Sequence, residues 1–180
     1  MPAKKSLRYM ISTPENPCQY FLDTSTLHRI AIISPDASEG IRKNLMGLDL
    51  EPIPVPKSAL VPRPISGHPD LQVFVHDGRV FCHPDISRSF ISSIEKNAEV
   101  IVCGTRLAGD HPGDIPYNIA CAGGRAFHHR TVIDPTVREY LDAQHITRTA
   151  VRQGYAKCSA MIVDDGAIVT SDVSIHGAAA

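Results

Sequence analysis

A cysteine, a histidine and an aspartate stand at related places in the sequence and are the residues best suited to chemistry. Asp70 and Cys158 each lie eight residues before the glycine of an expected hairpin turn, Gly78 and Gly166 respectively. In a ring of related units, equal offsets converge on the axis, so we expect these two side chains to meet there, with His68 beside them. A thiol, an imidazole and a carboxylate held together can perform nucleophilic or acid–base chemistry.

Three further polar residues fall near the same register and complete the candidate site. The predicted catalytic residues are Cys158 as nucleophile and His68 as acid/base, and the predicted substrate-binding residues are Asp70, Asp114, Asn118 and Lys157. Structural alternatives stay open for most of them. Cys158 can begin a buried strand as a small hydrophobic residue. Asp70 can close a turn on backbone amides, and adjacent strand residues such as Lys157 and Cys158 face opposite ways.

The elements that position these residues come from a stretch that occurs three times. Its turn glycines Gly78, Gly124 and Gly166 are separated by 46 and 42 residues, a spacing typical of repeated supersecondary units. Each unit is predicted as strand, turn, strand, helix, strand, preceded by a strand–helix–strand piece. We predict an irregular arm over 1–26 and one domain over 27–180, with repeats at about 28–56, 67–103, 113–151 and 154–180.

Local patterns predict the individual elements. Apolar runs bounded by turn residues predict strands, and capping residues or proline predict helix starts. The predicted strands span 29–33, 52–56, 71–76, 79–83, 99–103 and 146–151. The predicted helices begin at Ser34 or Asp36, at Pro84 and near Asp134-Pro135, with Ile41, Leu45 and Leu48 forming the apolar face of the first. Ser171-Asp172 is a plausible cap, but we expect the chain to end before a further helix and return strand.

Four segments carry a resemblance to a known family. They are Gly67-His68-Pro69-Asp70, Tyr117-Asn118, Gly154-Tyr155-Ala156-Lys157-Cys158-Ser159, and the segment from Asp164-Asp165-Gly166 to Ser171-Asp172. Over roughly Arg29 to His176 the chain resembles an uncharacterised bacterial and archaeal family assigned to the guanidino-group-modifying enzyme fold, the pentein fold. The resemblance implies an α/β-propeller with a narrow central pocket. There a cysteine attacks a guanidinium carbon, a histidine moves protons and carboxylates bind the nitrogens.

The same resemblance leaves two functional hypotheses. One is an enzyme or binding protein for a small polar or guanidino ligand, in which a cysteine-dependent hydrolase or transferase would act on the guanidino carbon. The other is a non-catalytic interaction module, as in the ribosome-binding member of the superfamily. Tyr155 stands at the position that best matches the family's histidine, and the glycine-rich C-terminal segment implied by the resemblance is missing. We therefore expect a truncated, incomplete propeller that can self-associate through an open sheet edge.

Composition excludes several classes of function. A net charge of −1 with interspersed charges lacks the basic stripe of a nucleic-acid-binding protein. Five scattered cysteines disfavour a disulfide framework, and we find no signal peptide, membrane span or cofactor motif. We thus expect a cytoplasmic protein without a cofactor. His83, His128 and His129 suggest no metal site, since strand neighbours point to opposite faces.

Overall fold

The structure, a computed structural model, describes residues 29–180. The predicted arm over 1–26 lies outside these residues. The described chain is a mixed α/β protein with five α-helices and four small sheets, two of two strands and two of three strands. The sheets are separate, so the propeller arrangement stays a prediction, as does the single domain. No helix of the described residues is long and apolar enough to span a membrane.

The first unit consists of β1 (Arg29–Ile33), α1 (Glu39–Gly47) and β2 (Leu50–Pro54), with the two strands parallel. The predicted helix cap is wrong. The Ser38 hydroxyl, rather than Ser34 or Asp36, accepts the Ile41 amide proton at the start of α1. Ser34 instead accepts the amide of Asp36, which closes the turn that follows β1.

The apolar face predicted for α1 is largely exposed to solvent. Ile41 and Leu48 are 51% and 64% exposed, and no residue of α1 is buried. The physical reason is the size of the sheet, because two strands present too narrow a face to cover a whole helix. The rest of the protein therefore covers this helix less than it covers the two later helices predicted from the sequence, which both contain buried residues.

The second unit contains a short 3₁₀ helix (Arg63–Ile65) followed by α2, β3, β4, α3 and β5. These elements span Pro69–Gln72, Val73–His76, Arg79–Cys82, Arg88–Ile94 and Glu99–Val102. Strands β3 and β4 are antiparallel, and β5 is parallel to β4. Asp77 and Gly78 both have positive φ, of 47° and 71°, as a tight hairpin turn requires.

Two boundaries of the second unit differ from those predicted. The segment before β3 is a helical turn rather than the start of a strand at Leu71, because Pro69 fits the first turn of a helix. Helix α3 begins at Arg88 and not at Pro84, since the Ser87 hydroxyl caps it by accepting the Phe90 amide.

The third unit repeats the pairing of the second. It contains β6 (Ala120–Ala122), β7 (Arg125–His129), α4 (Pro135–Ala143) and β8 (Thr147–Val151). Strands β6 and β7 are antiparallel and β8 is parallel to β7. Asp134 caps α4, as the sequence predicts, by accepting the amides of Thr136 and Val137.

The fourth unit contains the hairpin of β9 (Ala160–Asp164) and β10 (Ala167–Thr170) and then α5 (Val173–Ala179). The expectation that no helix follows the hairpin is wrong, since Asp172 accepts the amides of Ser174 and Ile175 and starts α5. Within residues 29–180, this hairpin has no third strand. Met161, Val163 and Val169 on it are more than half exposed.

The apolar core lies between successive units. One cluster joins the first two units through Ile53, Val55, Val73 and Phe90 among others. A second joins the middle units through residues that include Phe74, Phe81, Tyr117, Val137 and Leu141. A third joins the last two through Ala120, Phe127, Ala156, Ala160 and Ile175. Because each interface is shared, the loops at the starts of neighbouring hairpins are held close together.

Candidate functional site

Three segments of the chain each contribute one polar side chain to the same cluster. Asp70 lies in α2, directly before β3, Asn118 lies two residues before β6, and Cys158 lies two residues before β9. Each therefore stands at the entrance to the first strand of a hairpin. The predicted buried strand start at Cys158 is wrong, because the residue lies in an exposed turn whose Ser159 amide bonds back to the Tyr155 carbonyl.

The three side chains form a closed triangle of hydrogen bonds. The Cys158 thiol donates to Asp70 Oδ2 at 2.5 Å. The Asn118 amide Nδ2 donates to the same oxygen at 3.2 Å and to Cys158 Sγ at 3.4 Å. Asn118 is buried, and its Oδ1 accepts the backbone amide of Lys157 at 2.7 Å. The asparagine thus fixes the cysteine loop and presents its own N–H groups to both the thiol and the carboxylate.

His68 completes the cluster from the solvent side. Its Nδ1 lies 4.0 Å from Asp70 Oδ1, and the two side chains are 49% and 23% exposed. One imidazole nitrogen, one carboxylate oxygen and the Cys158 sulfur all lie within 4.8 Å of one another. At these distances a small movement of the His68 side chain brings its imidazole within hydrogen-bond distance of Asp70 or Cys158, as proton transfer requires.

The thiol of Cys158 is protonated at neutral pH. Cys158 is an exposed residue, but the protein atoms around its sulfur exclude part of the water. This partial desolvation, the hydrogen bond with Asp70 and the charge of Asp70 raise the pKa of Cys158 to about 12, and the Asn118 N–H offsets this only in part. A carboxylate so close to a thiol opposes a second negative charge. The resting cysteine is consequently not an activated thiolate.

A second polar cluster adjoins the first through Tyr155. The Tyr155 hydroxyl donates to Asp114 Oδ2 at 2.5 Å, and His111 Nδ1 lies 3.2 Å from Asp114 Oδ1. The hydrogen bond with Asp114, together with burial, raises the pKa of Tyr155 to about 12. Gly154 allows the His111 ring to lie close to the backbone, because a Cβ at that position would displace the ring. The buried Asp114 therefore orients Tyr155.

Comparison with known families gives a family but no reaction. A model described as "Family of unknown function (DUF6873)" matches residues 32–180. The chain belongs to this family. No curated protein matches the chain.

Among the solved structures, an inosamine-phosphate amidinotransferase from Streptomyces griseus is similar to this chain. It is 17% identical to this DUF6873 member, with a TM-score of 0.39. The match covers 67% of this chain and 36% of the amidinotransferase, so the chain spans about a third of that enzyme's length. A likeness at this level establishes neither a shared fold nor a shared activity.

The DUF6873 site includes four of the six residues singled out from the sequence. The structure brings together Cys158, His68, Asp70 and Asn118, and their roles stay predictions. Lys157 contributes its backbone amide, and its ammonium makes no ion pair with a described residue. Asp114 lies in the adjoining cluster, where both of its oxygens already have partners.

Sequence reasoning missed His111 and gave Tyr155 no part in the site. The loop over 109–114 is exposed at Gly109, Asp110 and His111, but it ends at Asp114, which is only 2% exposed. The available signal for Tyr155 was its place where the resembling family has a histidine. The histidines considered for a metal lie elsewhere in the described chain. His128 Nδ1 bonds the His129 carbonyl, and His83 is buried without a partner.

Proposed function

We propose that this DUF6873 protein binds a small cationic ligand carrying a guanidino or amidino group, with Cys158 placed to react with its central carbon. One observation carries the proposal. Helix α2 and two separate loops bring the carboxylate of Asp70, the amide of Asn118 and the thiol of Cys158 into mutual hydrogen bonds, with Cys158 exposed to solvent. Stability alone does not call for a thiol and a carboxylate in contact at the surface.

The charge of the cluster favours a cation over an anion. Asp70 forms an ion pair within the described residues with His68 alone, and at 4.0 Å this is a loose contact. A guanidinium group presents parallel N–H donors that match the two oxygens of a carboxylate. Such a group would replace the thiol proton as the partner of Asp70, and its positive charge would favour the thiolate.

A hydrolytic reaction of this ligand balances with the residues present. The Cys158 thiol gives its proton to His68, and the thiolate sulfur bonds to the guanidino carbon. His68 returns the proton to the departing amine as the C–N bond breaks, leaving a carbon bonded to sulfur. Water then loses a proton to His68 and attacks that carbon. Cleavage of the C–S bond gives a ureido product and restores the thiol.

A non-catalytic binding role is the second candidate, and one observation favours it. The pKa of Cys158 is raised to about 12 by partial desolvation and Asp70, so the resting site holds no nucleophile. A guanidino ligand that does not bring its carbon to the sulfur would be bound without reaction.

A matched pair of electrophiles tests the proposal. Chloroacetamidine and chloroacetamide differ in charge but have nearly the same shape. We expect the cationic reagent to alkylate Cys158 at least tenfold faster than the neutral one in the presence of a chelator, as measured by peptide mass spectrometry. Asp70→Asn should remove the preference, whereas Asp165→Asn, an exposed aspartate of the last hairpin, should keep it.

Equal rates with the two reagents in the unsubstituted protein would contradict cation recognition. A preference without release of ammonia or amine from guanidino compounds would leave the binding role and reject the hydrolytic one. Circular dichroism of each variant establishes that the substituted chains are folded.

A further inference from the structure

We propose that His68, Asp70 and Cys158 bind a zinc ion, with the fourth coordination position open to water. The donor set consists of one imidazole nitrogen, one carboxylate oxygen and one sulfur, all within 4.8 Å of one another. Three protein ligands with one open position are the arrangement typical of zinc sites at which a further molecule binds. This inference goes beyond the guanidino proposal and does not depend on it.

The distances suit a tetrahedral ion after small side-chain movements. Zinc lies about 2.0–2.3 Å from its nitrogen, oxygen and sulfur ligands, so neighbouring ligand atoms are about 3.3–3.8 Å apart. The sulfur lies 2.5 Å from Asp70 Oδ2, and His68 Nδ1 lies 4.0 Å from Asp70 Oδ1. The sulfur must move about 1 Å away from Oδ2. The imidazole nitrogen must come to the same spacing from whichever Asp70 oxygen binds the ion, starting from no more than 4.8 Å. His68 and Cys158 are both exposed, so these adjustments meet little resistance.

The zinc ion would take the position of the proton that Cys158 now donates to Asp70. Binding replaces the S–H proton that Asp70 accepts, and this proton is released to the solvent. Sulfur and oxygen then share the dipositive charge instead of the proton, which removes the repulsion between thiolate and carboxylate. The choice of zinc follows from the ligands, because a thiolate with an imidazole disfavours Mg²⁺ and Ca²⁺.

Asn118 supplies the outer support that such a site requires. Its Nδ2 already donates to both the sulfur and the carboxylate, and its Oδ1 is held by the Lys157 backbone amide. Groups that bond to metal ligands in this way orient them, and their removal typically weakens metal binding 10–100-fold. The asparagine is buried, so its position is set before the ion arrives.

Cobalt provides a direct spectroscopic test on the full, reduced chain. Co²⁺ occupies zinc sites, and a cysteine ligand gives an intense sulfur-to-cobalt band in the near ultraviolet. We expect one equivalent of Co²⁺ to produce this band and one equivalent of Zn²⁺ to abolish it. About one proton should be released per zinc ion, as calorimetry in buffers of different ionisation enthalpy can measure.

Variants locate the site. Cys158→Ser should abolish the band, His68→Ala and Asp70→Asn should each weaken zinc binding at least 100-fold, and Asn118→Ala should weaken it about tenfold. Cys121→Ser is the matched control, since this half-buried cysteine lies outside the cluster, and it should bind as the unsubstituted chain does. A band that survives in Cys158→Ser, or that is lost in Cys121→Ser, would overturn the proposal.

The two proposals fail separately. Zinc should block labelling of Cys158 by chloroacetamidine, because both need the same sulfur and carboxylate. Cobalt binding without a preference for the amidine in chelator would retain the zinc site and reject the guanidino ligand. A preference for the amidine without a cobalt band would retain the guanidino ligand and reject the zinc site.

Discussion

Two aspartates of this protein, Asp134 and Asp70, precede or begin helices and have opposite surroundings. Asp134 is completely buried. Its Oδ1 accepts the amides of Thr136 and Val137, and its Oδ2 accepts the Thr105 amide and, at 3.4 Å, the Tyr117 hydroxyl. Most of these partners are backbone groups that cannot move without unfolding α4 or the loop after β5.

The partners of Asp70 are side chains that can be exchanged. Its Oδ2 accepts the Cys158 thiol and the Asn118 amide, while the one partner of its Oδ1 among residues 29–180 is His68 at 4.0 Å. A cation can displace the thiol proton, but nothing can displace the amides at Asp134 in the folded state. The difference separates a carboxylate that holds the fold from one that is available to a ligand.

The largest expected effect distinguishes these carboxylates by stability. Asp134→Ala should lower the free energy of unfolding by about 3 kcal/mol, because it removes a helix cap and leaves the buried Thr105 amide without a partner. Asp70→Ala should cost less, about 1 kcal/mol, because the hydrogen bonds that it removes join side chains and 23% of the Asp70 side chain is exposed. Urea denaturation measures both.

Asp142→Ala provides the control. This aspartate lies on α4, the helix that Asp134 caps, and its side chain is 53% exposed and paired with Arg148. The substitution should change the free energy of unfolding by no more than about 0.5 kcal/mol. A loss at Asp70 equal to that at Asp134 would show that the candidate site is part of the structural core.

A smaller effect is expected where the site meets the fold, at Asn118. Asn118→Ala should destabilise the protein by about 1–2 kcal/mol, because the Lys157 amide loses its acceptor and a buried side chain is truncated. Asn97→Ala is the matched control, since this half-buried asparagine lies in the turn after α3, and it should have a smaller effect. An unchanged unfolding midpoint for Asn118→Ala would mean that the cysteine loop does not depend on this bond.

The pH dependence of stability should show how much the negative charge of Asp134 contributes to the free energy of unfolding. Burial alone would raise the pKa of Asp134, but hydrogen bonds from Thr105, Val137 and Thr136 outweigh it and hold the pKa below the usual 3.8. A lowered pKa in the folded state means that the stabilisation is present above pH 3.8 and is lost as the pH falls through the folded value.

The measurement is the free energy of unfolding between pH 6 and pH 2 for the unsubstituted chain and for Asp134→Asn. The variant has no charge to lose at this position, so its stability should fall less steeply below about pH 4. Parallel curves for the two proteins would contradict a lowered pKa at Asp134.

Several features of the fold and of the candidate site could be predicted from the sequence, and those that could not be predicted depend on contacts between distant residues. The Asp77-Gly78 turn, the Asp134 cap and the shared offset of Asp70 and Cys158 follow from local patterns. The pairing of Tyr155 with Asp114 joins residues 41 positions apart, and no local pattern encodes it. The exposure of Cys158 was missed because an apolar run follows it, and periodicity does not define where a strand begins.

The smallest expected effect on stability belongs to Cys158, the proposed nucleophile. Cys158→Ser should change the free energy of unfolding by less than about 0.5 kcal/mol, because the thiol is exposed and serine can donate to Asp70 in its place. Cys103→Ser should cost more, since that sulfur lies in the apolar core between the second and third units. In the native protein, iodoacetamide should label Cys158 before the buried Cys82 and Cys103. Preferential labelling of either buried cysteine would show that the native chain opens at its core more readily than at its candidate site.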